Sequence, residues 1–347
     1  MPTEEIRQRV NQRLEELHRR HQLLHEDEVV GYYAPGAGYL KPEEFVESEH
    51  KRWFAICLAT IDGEIFCAGD HDRPFALQSI SKVFVYGLAL EDHGRDYVLT
   101  RVGVEPSGDA FNSIVFDERN NRPYNPMVNA GALVATDLVE GEAPMEDLER
   151  ILGVLRRYAG DENMKVDEDV FALEMRSADR NRATSYLMRS YGMISHAVEE
   201  NLALYLRQCS VCVTSRDLAV MAATLANGGV NPVTKERALA SSYVKDVLSV
   251  MHTCGMYDFA GEWAYQVGIP AKSGVSGGIL AVVPGKLGIG VFSPGLDAYG
   301  NSVRGIKVCE EISERLGLHI FADDAEYALL GPVNRRKRNR AEGSLEL

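Results

Sequence analysis

Two β-prone stretches near opposite ends of the chain constrain its fold more than any other feature. The first runs Phe54-Ala55-Ile56-Cys57-Leu58-Ala59-Thr60, then Asp62-Gly63, then Glu64-Ile65-Phe66-Cys67. Asp-Gly between two such runs is a strong hairpin signal, because a tight turn needs residues that tolerate positive φ. The second reads Gly278–Val283, a Pro284-Gly285-Lys286 turn, and Leu287–Phe292. Between them, residues 100–270 are mostly helical in pattern, with polar loops such as 116–122. Val303–Leu316 supplies a closing helix. The order is strands, a long helical block, strands, helix. This predicts an α+β (mixed α/β) fold: one antiparallel sheet built from both chain ends, flanked by helices, with a helical subdomain inserted. Ahead of the sheet, Ile6, Val10, Leu14, Leu17 and Leu24 recur at three- to four-residue spacing and predict an amphipathic helix over 4–25. Thr214-Ser215-Arg216-Asp217 reads as a capped helix start, and Gly94 as a helix stop.

Composition narrows the function classes. At 347 residues the chain suits one large domain or two modest ones, and 45% hydrophobic with 25% charged residues is ordinary for a water-soluble protein. No apolar run is long enough to span a bilayer. Met1-Pro2-Thr3-Glu4-Glu5 lacks the basic flank and apolar stretch of a secretory signal, so a cytoplasmic protein with no membrane partner is expected. A net charge of -14 argues against a general nucleic-acid binder. The six scattered cysteines are expected to be reduced and buried. Cys209-Ser210-Val211-Cys212 has no second pair at zinc-ribbon spacing, and its expected role is structural. His18, His21 and His25 share one face of the N-terminal helix, read as a solvated face, and no metal site is expected. Arg335, Arg336, Lys337, Arg338 and Arg340 belong to a basic tail expected to be disordered and solubilising.

Two constellations carry chemistry. In Ser79-Ile80-Ser81-Lys82, positions three apart on a helix share a face, so the Lys82 amine can sit beside the Ser79 hydroxyl. A serine needs an adjacent base to act as a nucleophile, and a desolvated lysine loses its proton readily enough to be that base. Alone, S-x-x-K is a common surface pattern. Here Val83, Phe84, Val85, Leu88, Ala89 and Leu90 make the helix apolar almost all round, and a lysine at the mouth of a buried helix is costly unless paired. The second constellation, Lys272-Ser273-Gly274-Val275-Ser276-Gly277-Gly278, precedes the second hairpin. Lysine, hydroxyl residue and glycine opening a strand form the third element of the β-lactamase and penicillin-binding-protein signature, of which S-x-x-K is the first. There the strand offers a backbone N–H to a developing oxyanion, and glycines permit the close approach. Two such motifs in this order, flanking a helical block, outweigh a coincidence of surface lysines.

These motifs, with several more stretches, resemble the serine-dependent glutaminases. The matching segments are 78–84, Glu105-Pro106-Ser107-Gly108 through Phe111-Asn112-Ser113, and Asn125-Pro126-Met127-Val128-Asn129-Ala130-Gly131. They continue with Glu174, Arg180-Asn181, Tyr205 through Gln208-Cys209-Ser210, Gly255-Met256-Tyr257 and 272–278. The resemblance covers roughly residues 29–320. It implies a β-lactamase-like fold and hydrolysis of L-glutamine to L-glutamate and ammonia without a cofactor, in a homodimer or homotetramer. It also implies a division into an N-terminal extension over 1–28, a glutaminase domain over 29–325 and a tail over 326–347. The sheet part of that domain is about 29–75 and 270–325, and its helical part about 76–269.

By the same resemblance Ser79 is the nucleophile and Lys82 its base, with the backbone of Val275 in the oxyanion hole. Tyr33 and Tyr257 relay protons. Glu174 meets the substrate ammonium, while Asn129, Asn181 and Tyr205 handle its carboxylate and orientation, beside Ser79, Tyr257 and Val275. The chain departs from the family at Gly31-Tyr32-Tyr33-Ala34-Pro35, where the pattern more often reads aspartate-tyrosine-isoleucine-proline, which leaves Tyr32 as the alternative to Tyr33. Two other readings fit less well: another serine acyl hydrolase of the penicillin-recognising fold, which would want a clear middle motif, and a non-catalytic scaffold, which should have lost Ser79, Lys82 or the glycine-rich strand.

Overall fold

A computed structural model of the chain describes residues 4–24, 32–34, 38–40, 49–109, 113–141 and 144–322. The side chains of 32–34, 38–40 and 144 lie outside this description, as do His25 and the basic tail. The central sheet has five antiparallel strands: β3 (Ala55–Thr60), β4 (Ile65–Gly69), β7 (Ala271–Ser273), β8 (Gly278–Val283) and β9 (Leu287–Phe292), in the order β4-β3-β9-β8-β7. The first hairpin thus pairs with the second through β3 and β9, from Ala55 opposite Phe292 to Thr60 opposite Leu287. Both chain ends build one sheet, and a block of helices lies between them in sequence, as the order of patterns predicts. Two short pairings stand apart, β1 (Tyr32–Ala34) with β2 (Gly38–Leu40), and β5 (Phe75–Ala76) with β6 (Cys212–Val213).

Strand alternation sorts the two faces of the sheet. Ile56, Leu58, Ile279, Ala281, Val283, Leu287, Ile289 and Val291 point to one face. They pack there with Trp263 and with the apolar stripes of α1 (Glu4–His21) and α11 (Val303–Leu316), notably Val10, Leu14, Leu17, Ile306 and Ile312. On the other face lies α8 (Ser215–Ala226), begun by a capping box in which Thr214 and Asp217 bond each other's backbone N–H. This helix sits unusually close to β9 because both surfaces are small. A Cβ on Gly288 would stand 2.2 Å from the Ala223 nitrogen, and one on Gly290 would stand 2.3 Å from the Ser215 carbonyl oxygen. Cys57, Ala59, Ala219 and Ala223 complete this thin layer.

The buried helix of the S-x-x-K motif is α2 (Ser81–Arg101), interrupted at Gly94, whose φ of 78° only glycine adopts cheaply. It runs through the helical block with α3 (Asn129–Asp137) and α9 (Ser241–Cys254) against it. The polar loop over 116–122 closes with a bridge between Asp117 and Arg122.

Two expectations are corrected. Cys57 and Cys67 are joined by a disulfide, leaving Cys209, Cys212, Cys254 and Cys309 as free thiols, of which only Cys209 and Cys309 are buried. The first turn has three residues, with Thr60 and Glu64 closing it, and this register sets the two cysteines opposite each other with Cα atoms 4.2 Å apart. Asp-Gly marks the turn but leaves the register open by one residue, and one residue moves Cys67 to the other face. Nor are His18 and His21 solvated. His18 stacks on Phe54 and bonds its carbonyl, and His21 Nε2 lies 2.7 Å from Glu311 on α11. They fasten α1 to the body.

Because α8 rests on bare strand backbone, Gly290→Ala is expected to destabilise the protein by at least about 1–3 kcal/mol, the range for overpacking a filled core. A urea-unfolding midpoint indistinguishable from wild type would contradict that seating.

Candidate active site

Ser79 stands on a single 3-10 turn, Gln78–Ile80, which leads without a break into α2. Gln78, just before it, holds φ at 51°, a conformation that side chains other than glycine adopt at a cost. That kink presents the Ser79 side chain, nearly buried, toward the first turn of α2, where Lys82 is only 1% exposed. Lys82 Nζ lies 3.2 Å from Ser79 Oγ and 2.7 Å from Asn129 Oδ1. Burial disfavours the ammonium and pulls the Lys82 pKa down to about 8.

Other elements converge on this pair. Asn129 opens α3 and donates through Nδ2 to Asn181 Oδ1, at 3.0 Å, on α6 (Asp179–Ser190). Tyr205, on α7 (Val198–Cys209), points its hydroxyl at Asn129 Oδ1 from 3.4 Å. Glu174, on α5 (Glu168–Arg176), accepts a 2.8 Å bond from Gln78 Nε2. Burial pushes the Glu174 carboxyl above its ordinary range, and the Gln78 bond partly offsets this by favouring the charged form. Tyr257 hydrogen-bonds Ser79 and also donates to the Ser273 carbonyl, at 3.0 Å. Its phenol and that of Tyr205 are both pushed up by burial and stay neutral at ordinary pH.

The glycine-rich segment sits beside Ser79. Gly274 backs onto the Leu77 carbonyl and the Ile80 side chain, where a Cβ would meet them at 3.1 and 3.3 Å. The Gly277 N–H donates to the Gly274 carbonyl, so Val275 and Ser276 form the corner of a tight turn at the end of β7. Gly277, at φ +98°, has the Ser293 carbonyl where a Cβ would point. The turn follows directly on Gly274, whose backbone lies against the segment that carries Ser79.

Of the residues singled out in the sequence, Ser79, Lys82, Asn129, Asn181, Tyr205 and Tyr257 form one hydrogen-bonded group, with Glu174 tied in through Gln78 and Val275 on the adjoining turn. Tyr33 lies on β1, opposite Tyr39, and its side chain is outside the described residues. Two members carry no role predicted from the sequence: Gln78, whose signal is its place directly before Ser79, and the Lys272 side chain, fully buried behind Tyr257. Among the described residues no group of three His, Cys, Asp or Glu is arranged to hold a metal ion, and no helix is long and apolar enough to cross a membrane.

Comparison with known proteins supplies the family. The glutaminase family model matches residues 44–321. A glutaminase of Trichormus variabilis is 58% identical over 308 residues, 89% of this chain and 89% of the relative. One of Clostridium tetani is 50% identical over 77% of this chain and 88% of its own length. Among solved structures, the probable glutaminase YbaS superposes with a TM-score of 0.82 at 38% identity, covering 92% of this chain and 99% of that one. Mglu in its glutamate form gives 0.82 at 42% identity, over 90% of this chain and 70% of that one. The fold is therefore that of the solved glutaminases, the β-lactamase-like architecture. With a family match across most of its length and relatives this similar over most of theirs, the chain belongs to the glutaminase family.

Proposed function

We propose that this protein is an amidohydrolase that converts L-glutamine and water to L-glutamate and ammonia through a glutamyl ester on Ser79. The observation that carries the reading is the buried Lys82 amine, 3.2 Å from Ser79 Oγ and with its pKa drawn down to about 8. A neutral amine at that distance takes the Ser79 proton as Oγ attacks the side-chain amide carbon. Asn129 Oδ1, 2.7 Å away, holds the amine in line. The developing oxyanion is met by the backbone N–H groups of Ser79 and Val275, each such donor contributing about 3 kcal/mol to barrier lowering. The proton held on Lys82 passes through the Tyr257 hydroxyl, which bonds Ser79, to the amide nitrogen, and ammonia departs. Water then attacks the ester, giving its proton to Lys82, and Ser79 Oγ recovers a proton as glutamate leaves. Tyr33 belongs to this relay by family resemblance.

Substrate recognition follows from charge. Glu174 pairs with the α-ammonium, and the amide and hydroxyl donors of Asn129, Asn181 and Tyr205 serve the α-carboxylate. The relative Mglu is known in a glutamate form, which agrees with a site that retains the product amino acid. We assign the reaction to a domain over 29–325, most of which the family model matches, over 44–321. Residues 1–28 and 326–347 are accessory to it. The family resemblance further suggests a homodimer or homotetramer that needs no cofactor.

Three outcomes are expected. Purified protein releases ammonia from L-glutamine but not from L-asparagine, and Ser79→Ala abolishes the release; ammonia production surviving in that variant would remove the serine mechanism while sparing the substrate. Since Lys82 must be neutral to act, and neutral lysine is populated above its pKa, kcat/KM should rise with pH and level off above about 8. A rate that levels off near pH 4–5 instead would point to a carboxylate base. Finally, Glu174→Gln should raise KM at least about 30-fold, since breaking a buried charge pair costs about 2 kcal/mol or more. An unchanged KM would place the ammonium elsewhere.

A further inference from the structure

Lys272 is a second buried lysine next to the site, and the reaction scheme above gives it no part. It is fully buried on β7, among the largest fully buried side chains of the protein, together with Lys82. Burying an amine is unfavourable unless its hydrogen bonds and charge are answered. Burial, with Lys82 nearby, holds the Lys272 amine well below its ordinary pKa, and its hydrogen bond is met locally. Lys272 Nζ donates to the Ser273 carbonyl, at 2.7 Å, and lies 4.1 Å from the centre of the Tyr257 ring, over its face. The Tyr257 hydroxyl donates to that same Ser273 carbonyl from 3.0 Å. Lysine, tyrosine and carbonyl thus form a closed contact, with the phenol at one corner and Ser79 beyond it.

Tyr257 needs such a clamp. Its φ is 54°, the left-handed region that a bulky side chain adopts only when its surroundings enforce it. The backbone around it is fixed to β7 as well: the Ser273 N–H donates to the Gly255 carbonyl, and a Cβ on Gly255 would fall 1.8 Å from the Ala271 carbonyl oxygen. These contacts pin the chain before Tyr257. Lys272 is the group that pins the ring.

We propose that Lys272 is a positioning residue for the reaction, holding Tyr257 over the Ser273 carbonyl so that the phenol hydroxyl stays in register with Ser79. The inference rests on the Ser79 reading above. Lys272 acts on the proton relay only through Tyr257 and touches no reacting atom.

The test is kinetic. Lys272→Met keeps the length of the stem and removes the amine. It is expected to lower kcat about 10- to 100-fold, less than the roughly 10²–10⁴-fold of a lost proton-transfer group because the Tyr257 hydroxyl stays but is misplaced, with KM within about threefold. In a Tyr257→Phe background, where no hydroxyl remains to be positioned, the same substitution should cost less than about threefold. Lys272→Arg, which keeps N–H donors beside the Ser273 carbonyl and the ring, should recover part of kcat and is read in place of Lys272→Met if that variant does not fold. Equal losses with and without the Tyr257 hydroxyl, or an arginine variant whose kcat has fallen 100-fold or more, would overturn the proposal. So would a kcat unchanged in Lys272→Met. Ser79→Ala assayed in parallel separates the two readings: activity in that variant defeats the serine mechanism, whereas its inactivity with additive Lys272 losses defeats the clamp alone.

Discussion

The structure turns on a buried amine. Lys82 sits where water cannot solvate an ammonium, and an unpaired ammonium there is unfavourable by several kcal/mol. Two responses are available: provide hydrogen-bond partners, or let the proton go. This protein does both, with Asn129 and Ser79 as partners and a pKa drawn down to about 8. Much of the fold can be seen as arranging that burial. α2 is apolar on nearly every side through its first half, α3 delivers Asn129 by its first residue, and β7 closes the remaining side.

A second constraint is how closely rigid elements approach one another. The sheet supports the site only because glycines let backbone lie on backbone, at Gly288 and Gly290 under α8 and at Gly274 and Gly277 beside the Ser79 turn. Two non-glycine residues, Gln78 and Tyr257, hold positive φ at the site itself. Each is held by a side-chain contact, Gln78 to Glu174 and Tyr257 to Ser273. Strain of this kind persists where the surroundings over-determine it, and here both strained residues flank Ser79. Local cost is accepted where the hydroxyl, the amine and the carboxylate have to meet.

Most of this architecture was legible in the sequence because its signals are local. The second hairpin falls where its turn residues put it, Val303–Leu316 is helical throughout, and Thr214 caps α8 through Asp217. Gly94 breaks its helix. Ser79 and Lys82 stood out in their own motif, whereas Glu174, Asn181 and Tyr205 were legible only through resemblance, because they come from three helices whose packing no periodicity reveals. What escaped depends on contacts distant in sequence. The Cys57–Cys67 disulfide follows from a one-residue choice of turn register. His18 and His21 look solvated on a helical wheel, yet they face Phe54 and Glu311 across the fold. Gln78 reaches Glu174, nearly a hundred positions away.

The central claim is a covalent glutamyl ester on Ser79 formed with Lys82 as base. Acid-quenching the enzyme during steady turnover of L-glutamine, then mapping its peptides by mass spectrometry, tests this most directly. The account predicts a glutamyl adduct on the peptide carrying Ser79, absent from Ser79→Ala and from Lys82→Met. An adduct on another nucleophile, such as the buried Cys209 thiol, would contradict it. So would a Ser79 adduct that forms at the wild-type rate without Lys82.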